Sequence, residues 1–242
     1  ERNTLLISDY ALGATAAPGG PLDPALRIVP YGGITVSELI LLGRGLALSG
    51  SLAGGADGKV GVRMRLGDSD LFGSGYSLES GFLFNNAHDG LGNGSVQIPG
   101  LPPGRYAVFA PLDYRRFGGA ITGGRELSLN TRVQLGYRFE WIEADFPAGA
   151  SHSRGADIEP VHFDLVRGGS RLSALSFTII DDTRDDPFLP STGRLWWFNA
   201  GAAFSAIGSS YDFGKMQFRA EGYRLLSWRH VLRLDAFVGV IV

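Results

Sequence analysis

The segment DDTRDDPFLPSTG, residues 181–193, holds the side chains with the densest potential for chemistry. Its four aspartates flank a single arginine. Clustered carboxylates offer the oxygen ligands that Ca²⁺ prefers, but the segment lacks the D-x-D-x-D-G register and the distal glutamate of an EF-hand. A calcium loop is therefore the less favoured interpretation. We predict a structural turn without a metal.

The residue types of this segment suit a turn between two strands. Pro187 and Pro190 cannot donate to a strand ladder and so end the pairing, and Gly193 lets the chain turn back into a strand. Arg184 has carboxylates nearby with which it can form charge-assisted hydrogen bonds. The predicted turn residues are Asp182, Arg184, Asp185, Pro187, Pro190 and Gly193.

Other catalytic candidates are dispersed along the chain. The four histidines, His88, His152, His162 and His230, lack metal-ligand spacing. No serine lies in a nucleophile-elbow pattern, although a Ser/His/Asp triad assembled in space from distant residues stays open. We predict a protein that is not an enzyme and that uses no cofactor or metal.

Two G-x-G sequences, at residues 43–45 and 73–75, could suggest a phosphate-binding loop. Such a loop needs a helix N-terminus directly after it. Here a strand pattern follows each one. The sequence favours two tight turns whose glycines adopt positive φ.

The elements around these segments are strands. Apolar residues alternate with charged residues, small residues or glycine, and this period of two is typical of strands with one apolar side. In the clearest strands the apolar side consists of every second residue, and these positions run from Val60 to Leu66, Val133 to Trp141, Trp196 to Phe204, Met216 to Ala220 and Leu232 to Val240. The charged residues predicted on the opposite side, which would line the lumen if the strands form a barrel, are Arg138, Glu140, Arg219, Glu221, Arg233 and Asp235, together with Arg63 and Arg65.

Composition excludes two classes of protein. The 242 residues carry a net charge of −2 and four histidines, so no basic stripe is available for nucleic acid. No window approaches the roughly 18 apolar residues of a membrane-spanning helix. The chain is therefore neither a nucleic-acid-binding protein nor a helical membrane protein.

Alternation alone fits a soluble sandwich, which buries its apolar side, and a membrane barrel, which shows that side to lipid. The links decide between them. About eleven strands are separated by links that alternate in length, as in outer-membrane barrels. The long links are 18–33, 85–104 and 146–160, and the short ones are 41–45, 70–75 and 225–230. We predict an all-β fold, an antiparallel transmembrane β-barrel.

Four segments carry a family resemblance. SELILLGRGLALSG and DSDLFGSGYSLESG resemble the N-L-[LF]-G-x-G turns of the outer-membrane protein assembly factors, the BamA/TamA-like insertases. DDTRDDPFLPSTGRL is similar to their D-[ST]-R-D-[ND]-P-x-x-P-x-x-G segment, and ERNT is similar to their entry into the first barrel strand. The resemblance covers most of the chain in the expected order.

The resemblance implies an insertase in the bacterial outer membrane, preceded by periplasmic POTRA domains, that folds and inserts β-barrel proteins. Its partners would be unfolded outer-membrane proteins, the lipid bilayer and accessory assembly lipoproteins, with no nucleic acid. The three long links would be extracellular. Residues 181–193 would be a periplasmic link between the eighth and ninth strands.

The family's barrel has about sixteen strands, so the resemblance implies that residues 1–242 are the N-terminal part of a barrel domain, its first two-thirds. POTRA domains and the final strands are expected to lie outside this sequence. A passive outer-membrane channel or two-partner secretion pore, working through the charged lumen, remains the alternative.

An insertase of this family acts through the edge of its first barrel strand, which the resemblance places in residues 4–13. Asp9 and Gly13 interrupt the apolar run there, and glycine contributes little to strand packing. We predict a weak seam that acts as a lateral gate. The client-binding residues would be Leu5, Leu6, Ile7, Ser8, Asp9, Tyr10 and Ala11.

Overall fold

A computed structural model describes residues 4–16, 26–41, 45–91, 96–100, 107, 110–154, 157–227 and 230–242. Nearly all regular structure in these residues is β-strand, and the two helical elements are short 3₁₀ turns, Leu71–Gly73 and Ser205–Ile207. Among the described residues, no helix is both long and apolar enough to cross a membrane.

The strands are numbered in chain order. They are β1 Thr4–Ala16, β2 Leu26–Leu41, β3 Leu46–Gly55, β4 Val60–Asp68, β5 Tyr76–Leu91, β6 Val96–Gln97, β7 Ala110–Glu126, β8 Thr131–Asp145, β9 Ser151–Arg154, β10 Asp157–Pro160, β11 Gly168–Asp182, β12 Gly193–Ala203, β13 Phe213–Leu225 and β14 Val231–Ile241.

Eleven of these strands form one antiparallel sheet in the order β1-β2-β3-β4-β5-β7-β8-β11-β12-β13-β14. Each strand pairs with its predecessor and successor in this order, as in an up-and-down barrel. Within the described residues the edge strands β1 and β14 do not pair with each other. The predicted fold class and the number of strands are confirmed.

The register divides the side chains of the sheet between two faces, because directly paired residues lie on the same face. Trp196 pairs with Ala220, and Phe198 pairs with Phe218. We call this side the apolar face. Arg219 and Glu221 belong to the opposite side, the polar face, where Glu221 pairs with Asp235.

The apolar and charged sets predicted from the sequence lie on opposite faces, with one exception. β12 ends at Ala203, so Phe204 lies outside the strand, directly before the turn Ser205–Ile207. Apolar alternation continued past the point where pairing with β13 stops, which is why the sequence pattern extended the strand too far.

The links lie at two rims. The links after β2, β4, β7, β11 and β13 form the short-link rim, and those after β1, β3, β5, β8 and β12 form the long-link rim. The long links predicted at 18–33, 85–104 and 146–160 all belong to the long-link rim, and the short ones predicted at 41–45, 70–75 and 225–230 belong to the opposite rim. The segment after β11 joins the eighth and ninth strands of the sheet, as predicted.

The bounds of the long links differ from those predicted. β2 begins at Leu26 and β5 continues to Leu91, so much of 18–33 and 85–104 is paired strand. Proline, glycine and asparagine indicated a link there, but pairing with neighbouring strands overrides local preference. Residues 18–25, 92–95 and 101–106 lie outside the described residues.

The link after β8 contains β9 and β10, which form a second sheet in the order β10-β9-β6. Val96, Ala107, Ala110 and Ala150 form its buried apolar cluster. The Phe146 and Phe163 rings stack beside it, with centroids 4.1 Å apart. The long link predicted at 146–160 therefore contributes two strands to a small folded unit, which consists of β6, β9 and β10 and is called the cap below.

The cap contacts the large sheet at the long-link rim, because Ala110, the first residue of β7, belongs to the buried cluster of the cap. Leu112, Ile142 and Ala144, which end the polar face at the long-link rim, are buried. In the link after β12, which lies at the same rim, the Tyr211 hydroxyl is 2.7 Å from the hydroxyl of Ser170, a buried residue of the polar face. The polar face is therefore the inner side of the sheet, covered at one end, and the apolar face is the outer side.

Candidate membrane surface, lumen and gate strand

The apolar face is exposed across the whole sheet. Leu135 is 67% exposed, Val238 68% and Trp196 48%. Within the described residues no second layer covers this face. Soluble monomers rarely expose contiguous apolar patches larger than a few hundred Å². The exposed face is that of a barrel that meets lipid, and the soluble sandwich does not account for it.

Charged residues bound the apolar face at both rims. On β7 the apolar-face positions between Arg115 and Arg125 carry no charge, and on β11 the same holds between Arg171 and Asp181. Ten residues of strand span about 34 Å. At a tilt of about 40° this becomes about 26 Å along the barrel axis, close to the roughly 25 Å apolar band of outer-membrane barrels.

Arginines lie over aromatic rings where this band ends at the short-link rim. The Arg125 guanidinium is 5.0 Å from the centre of the Tyr76 ring, and that of Arg194 is 4.8 Å from the Trp196 ring. Such pairs place an aromatic body in the apolar zone and a charge at the water side. They match the interfacial girdle of membrane barrels.

The predicted lumen residues form two clusters on the polar face. In the first, Arg219 Nη2 lies 2.7 Å from Glu221 Oε1 and 3.0 Å from Asp235 Oδ2. Arg233 Nη2 lies 2.8 Å from Asp235 Oδ2 and 3.6 Å from Glu221 Oε1. The Tyr223 hydroxyl donates to Glu221. Two arginines and two acids thus neutralise each other.

The second cluster lies on β7 and β8. Arg138 Nε donates to Glu140 Oε1 at 2.6 Å, and Glu140 is only 3% exposed. Gly118 is paired directly with Glu140. A Cβ built on Gly118 would lie 2.8 Å from Glu140 Cγ, so Glu140 occupies the space that the glycine leaves free.

The comparisons with known proteins agree with this geometry. The sequence model of the Omp85 superfamily domain matches residues 41–242. The chain belongs to the Omp85 superfamily. Its structure is similar to that of BamA from Haemophilus ducreyi lacking POTRA domains 1–3, with a TM-score of 0.63 and 13% sequence identity. A search of curated proteins finds no match.

The similarity to BamA covers 100% of this chain and 41% of that chain. This chain therefore spans less than half of the length of that BamA structure. At 13% identity the likeness establishes the shared barrel fold. The chain is an Omp85-family outer-membrane β-barrel protein, as its motifs indicated.

The predicted turn of this Omp85 chain is braced by its own acids. Asp182 ends β11 and Gly193 begins β12, so the link itself is 183–192. Arg184 donates from Nε and Nη2 to the two carboxylate oxygens of Asp182, at 2.8 and 2.7 Å. The hydrogen bond with Asp182 raises the pKa of Arg184 above its ordinary value.

Asp185 organises the second half of this link. It accepts hydrogen bonds from the Ser191 hydroxyl and from the backbone N–H groups of Ser191 and Thr192, at 2.9 and 3.0 Å for the N–H groups. These bonds, that of the Ser191 hydroxyl first, hold the pKa of Asp185 well below its ordinary value. Pro187 and Pro190 lie within the loop that Asp185 closes, and Gly193 re-enters the sheet with φ +101°.

The predicted gate residues all lie in β1. The strand pairs along its length with β2, from Thr4 opposite Glu38 to Ala16 opposite Leu26. Leu6 is 65% exposed, and Ile7 and Ser8 are exposed as well. The side chains of Leu5, Asp9, Tyr10 and Ala11 lie outside the described part of the chain. On its other side β1 has no partner among the described strands.

The remaining sequence candidates do not converge. His88 pairs with Asp113 at 3.0 Å and His152 lies 4.0 Å from Glu159, at separate places. Gly45, Gly73 and Gly75 have positive φ, as the tight-turn interpretation predicted. Sequence reasoning missed Arg116, whose Nη1 lies 3.9 Å from Glu140 Oε2. Alternation along β7 could have placed it on the polar face.

Proposed function

We propose that this Omp85 chain is part of an outer-membrane insertase of a Gram-negative bacterium, which folds β-barrel proteins through the edge of β1. The observation that carries the proposal is the pairing of β1 with β2, in which Asp9 and Tyr10 are opposite two consecutive glycines. When the seam between β1 and the last strand of the barrel opens, β1 becomes an edge strand. An edge strand offers unpaired N–H and C=O groups to an incoming strand. Adding a strand in this way, called β-augmentation, selects a backbone conformation rather than one sequence.

The cross-strand pairs of β1 support a seam that opens easily. Asp9 is paired with Gly33 and Tyr10 with Gly32, so two consecutive partners on β2 lack side chains. In the interior of the sheet, Phe198 is paired with Phe218. Cross-strand side-chain pairs contribute roughly 0.2–1 kcal/mol each. For each ladder hydrogen bond, the first hairpin, formed by β1 and β2, therefore has less side-chain stabilisation than the pair of β12 and β13.

The partners that fit this proposal are unfolded outer-membrane proteins, the lipid bilayer and accessory assembly lipoproteins. The long-link rim would face the outside of the cell and the short-link rim the periplasm. In this orientation the acids of the link 183–192 keep that rim in water. The proposed reaction is a change of strand pairing, and it requires no cofactor and no catalytic residue.

A disulfide between β1 and the last barrel strand of the full-length protein tests the proposal. Cysteine pairs at positions 5–11 and the facing residues of that last strand should abolish client insertion when oxidised and restore it on reduction. The measurement is assembly of a client barrel into liposomes containing the purified protein. If the seam-locked protein assembles clients at the wild-type rate, the lateral gate is wrong and a secretion pore becomes the better interpretation.

The matched control locks two interior strands. The hydroxyls of Thr35 on β2 and Ser51 on β3 lie 2.9 Å apart, so cysteines at both positions are close enough to form a disulfide. The pair Thr35→Cys/Ser51→Cys should leave client insertion unchanged in either redox state. Loss of insertion in this control would show that any rigid crosslink stops the protein, which would remove the support for a specific seam.

A further inference from the structure

We propose that the polar face holds a binding site for a small oxyanion, such as inorganic phosphate or sulfate, between β4 and β8. A cavity of about 380 Å³ lies there. Its position is separate from the β1 edge and from the cluster of Glu221 and Asp235. The cavity is large enough for one oxyanion with bound water, since a water occupies about 30 Å³.

The register explains why this cavity exists. One row of paired residues crosses four strands in the order Arg65, Gly81, Ala120 and Arg138. The two outer strands are about 14 Å apart at a spacing of about 4.8 Å per strand. The small residues Gly81 and Ala120 thus form the floor of the cavity, and Arg65 and Arg138 lie on its two sides. Two long side chains can lean over such a floor from both sides.

The charges lining the cavity do not balance. Four arginines, Arg63, Arg65, Arg116 and Arg138, face two acids, Glu79 and Glu140. Only the pair of Arg138 and Glu140 is close, at 2.6 Å. Arg65 is 3.9 Å from Glu79 and Arg116 is 3.9 Å from Glu140, both beyond hydrogen-bond distance.

Two arginines retain unused donors. Within the described chain Arg63 makes no ion pair, and the buried Nε of Arg116 has no hydrogen-bond partner, nor has the buried Oε2 of Glu140, which lies 3.9 Å from Arg116 Nη1. Buried polar atoms in native structures normally have a hydrogen-bond partner, so we expect the unpaired guanidinium nitrogen to bind an acceptor. Arginine donors suit the oxygens of phosphate or sulfate, which accept several charge-assisted bonds at once. Two or more converging arginines therefore favour an oxyanion over chloride.

Titration of inorganic phosphate into the purified full-length protein in detergent tests this site by calorimetry. We expect saturable binding that sulfate competes for and that chloride at equal ionic strength does not. The double variant Arg63→Gln/Arg116→Gln should weaken phosphate binding by at least about tenfold, because two charge-assisted donors are removed. Gel mobility of the unheated protein checks that the variant barrel is folded.

Arg115→Gln is the control, because Arg115 is adjacent to Arg116 on β7 but belongs to the apolar face. It removes one positive charge and should change phosphate affinity less than twofold. Equal weakening in both variants would show a general charge effect and overturn the site. So would phosphate binding that chloride abolishes at equal ionic strength. Tighter, Arg63-dependent binding of a polyglutamate peptide would identify a polypeptide ligand instead.

Discussion

Gly118→Ala should destabilise the barrel far more than the same substitution five residues further along β7. A Cβ on Gly118 would overlap the Phe139 carbonyl oxygen, and it would lie 2.6 Å from Glu140 Cα and 2.8 Å from Glu140 Cγ. Real Cβ atoms do not come this close to a backbone atom, so β7 and β8 must separate locally. At Gly123 a Cβ meets no atom within 4 Å. The two glycines share a strand and differ in what faces them.

The expected cost has two parts. Overpacking of this kind costs typically about 1–3 kcal/mol. Displacing Glu140 also weakens its hydrogen bond with Arg138, and since Arg138 is 45% exposed we discount that contribution to about 1 kcal/mol. Together the free energy of unfolding should fall by about 3 kcal/mol. Gly123→Ala should change it by no more than about 0.5 kcal/mol.

Urea titration of the full-length protein in lipid vesicles measures the difference, as a shift of the midpoint at constant slope. The double variant Gly118→Ala/Glu140→Ala provides a further check. It removes the Cγ contact, so the two substitutions should be non-additive by about 1 kcal/mol. If Gly118→Ala and Gly123→Ala unfold at the same urea concentration, β8 does not lie as close to Gly118 as the structure shows, and the geometry of this cluster is wrong.

Three further predictions address the faces and the rims. Leu135→Arg, at the centre of the apolar band, should lower the unfolding free energy in vesicles by about 2–4 kcal/mol, whereas Gln134→Arg on the polar face should change it by less than about 1 kcal/mol; equal effects would contradict the assignment of the faces. Asp185 has a pKa below its unfolded value, so its stabilising effect on the link is present at neutral pH and is lost as pH falls below about 4 through the folded pKa. Asp185→Asn should therefore speed amide exchange at Thr192 at pH 7, and a wild-type rate would refute the bracing role. A cysteine at Ser191 should react with a membrane-impermeant maleimide only after cells are permeabilised, and labelling of intact cells would reverse the proposed orientation.

The large sheet was predictable because its signal is local. The clearest strands, β4, β8, β12, β13 and β14, alternate apolar residues with charged or small ones, and a period of two assigns both the strand and its faces. The turn at 183–192 was predictable for the same reason, since its prolines and its glycine act on their own backbone. In both cases the deciding interactions lie within a few residues of the chain.

The cap and the inner bounds of the long links were not predictable in this way. β6 has two residues and β9 and β10 have four each, too few to show a period. They are strands because Val96 and Ala150 are buried together, a contact between segments far apart in sequence. The same holds for β2, where Gly32 and Gly33 are held extended by pairing with β1 and β3. Tertiary pairing decided these elements against local preference.

Small residues have opposite consequences at the edge and in the middle of this sheet. On β2, Gly32 and Gly33 offer no side chain to the two β1 residues paired with them, which weakens the first hairpin. On β7, the space beside Gly118 is occupied by the Phe139 carbonyl oxygen and by Cα and Cγ of Glu140, whose carboxylate accepts a hydrogen bond from Arg138 on the same strand. A glycine weakens a strand pair only where no neighbouring side chain takes its space. The proposed lateral gate requires this difference, since its first strand must separate while the centre of the sheet stays paired.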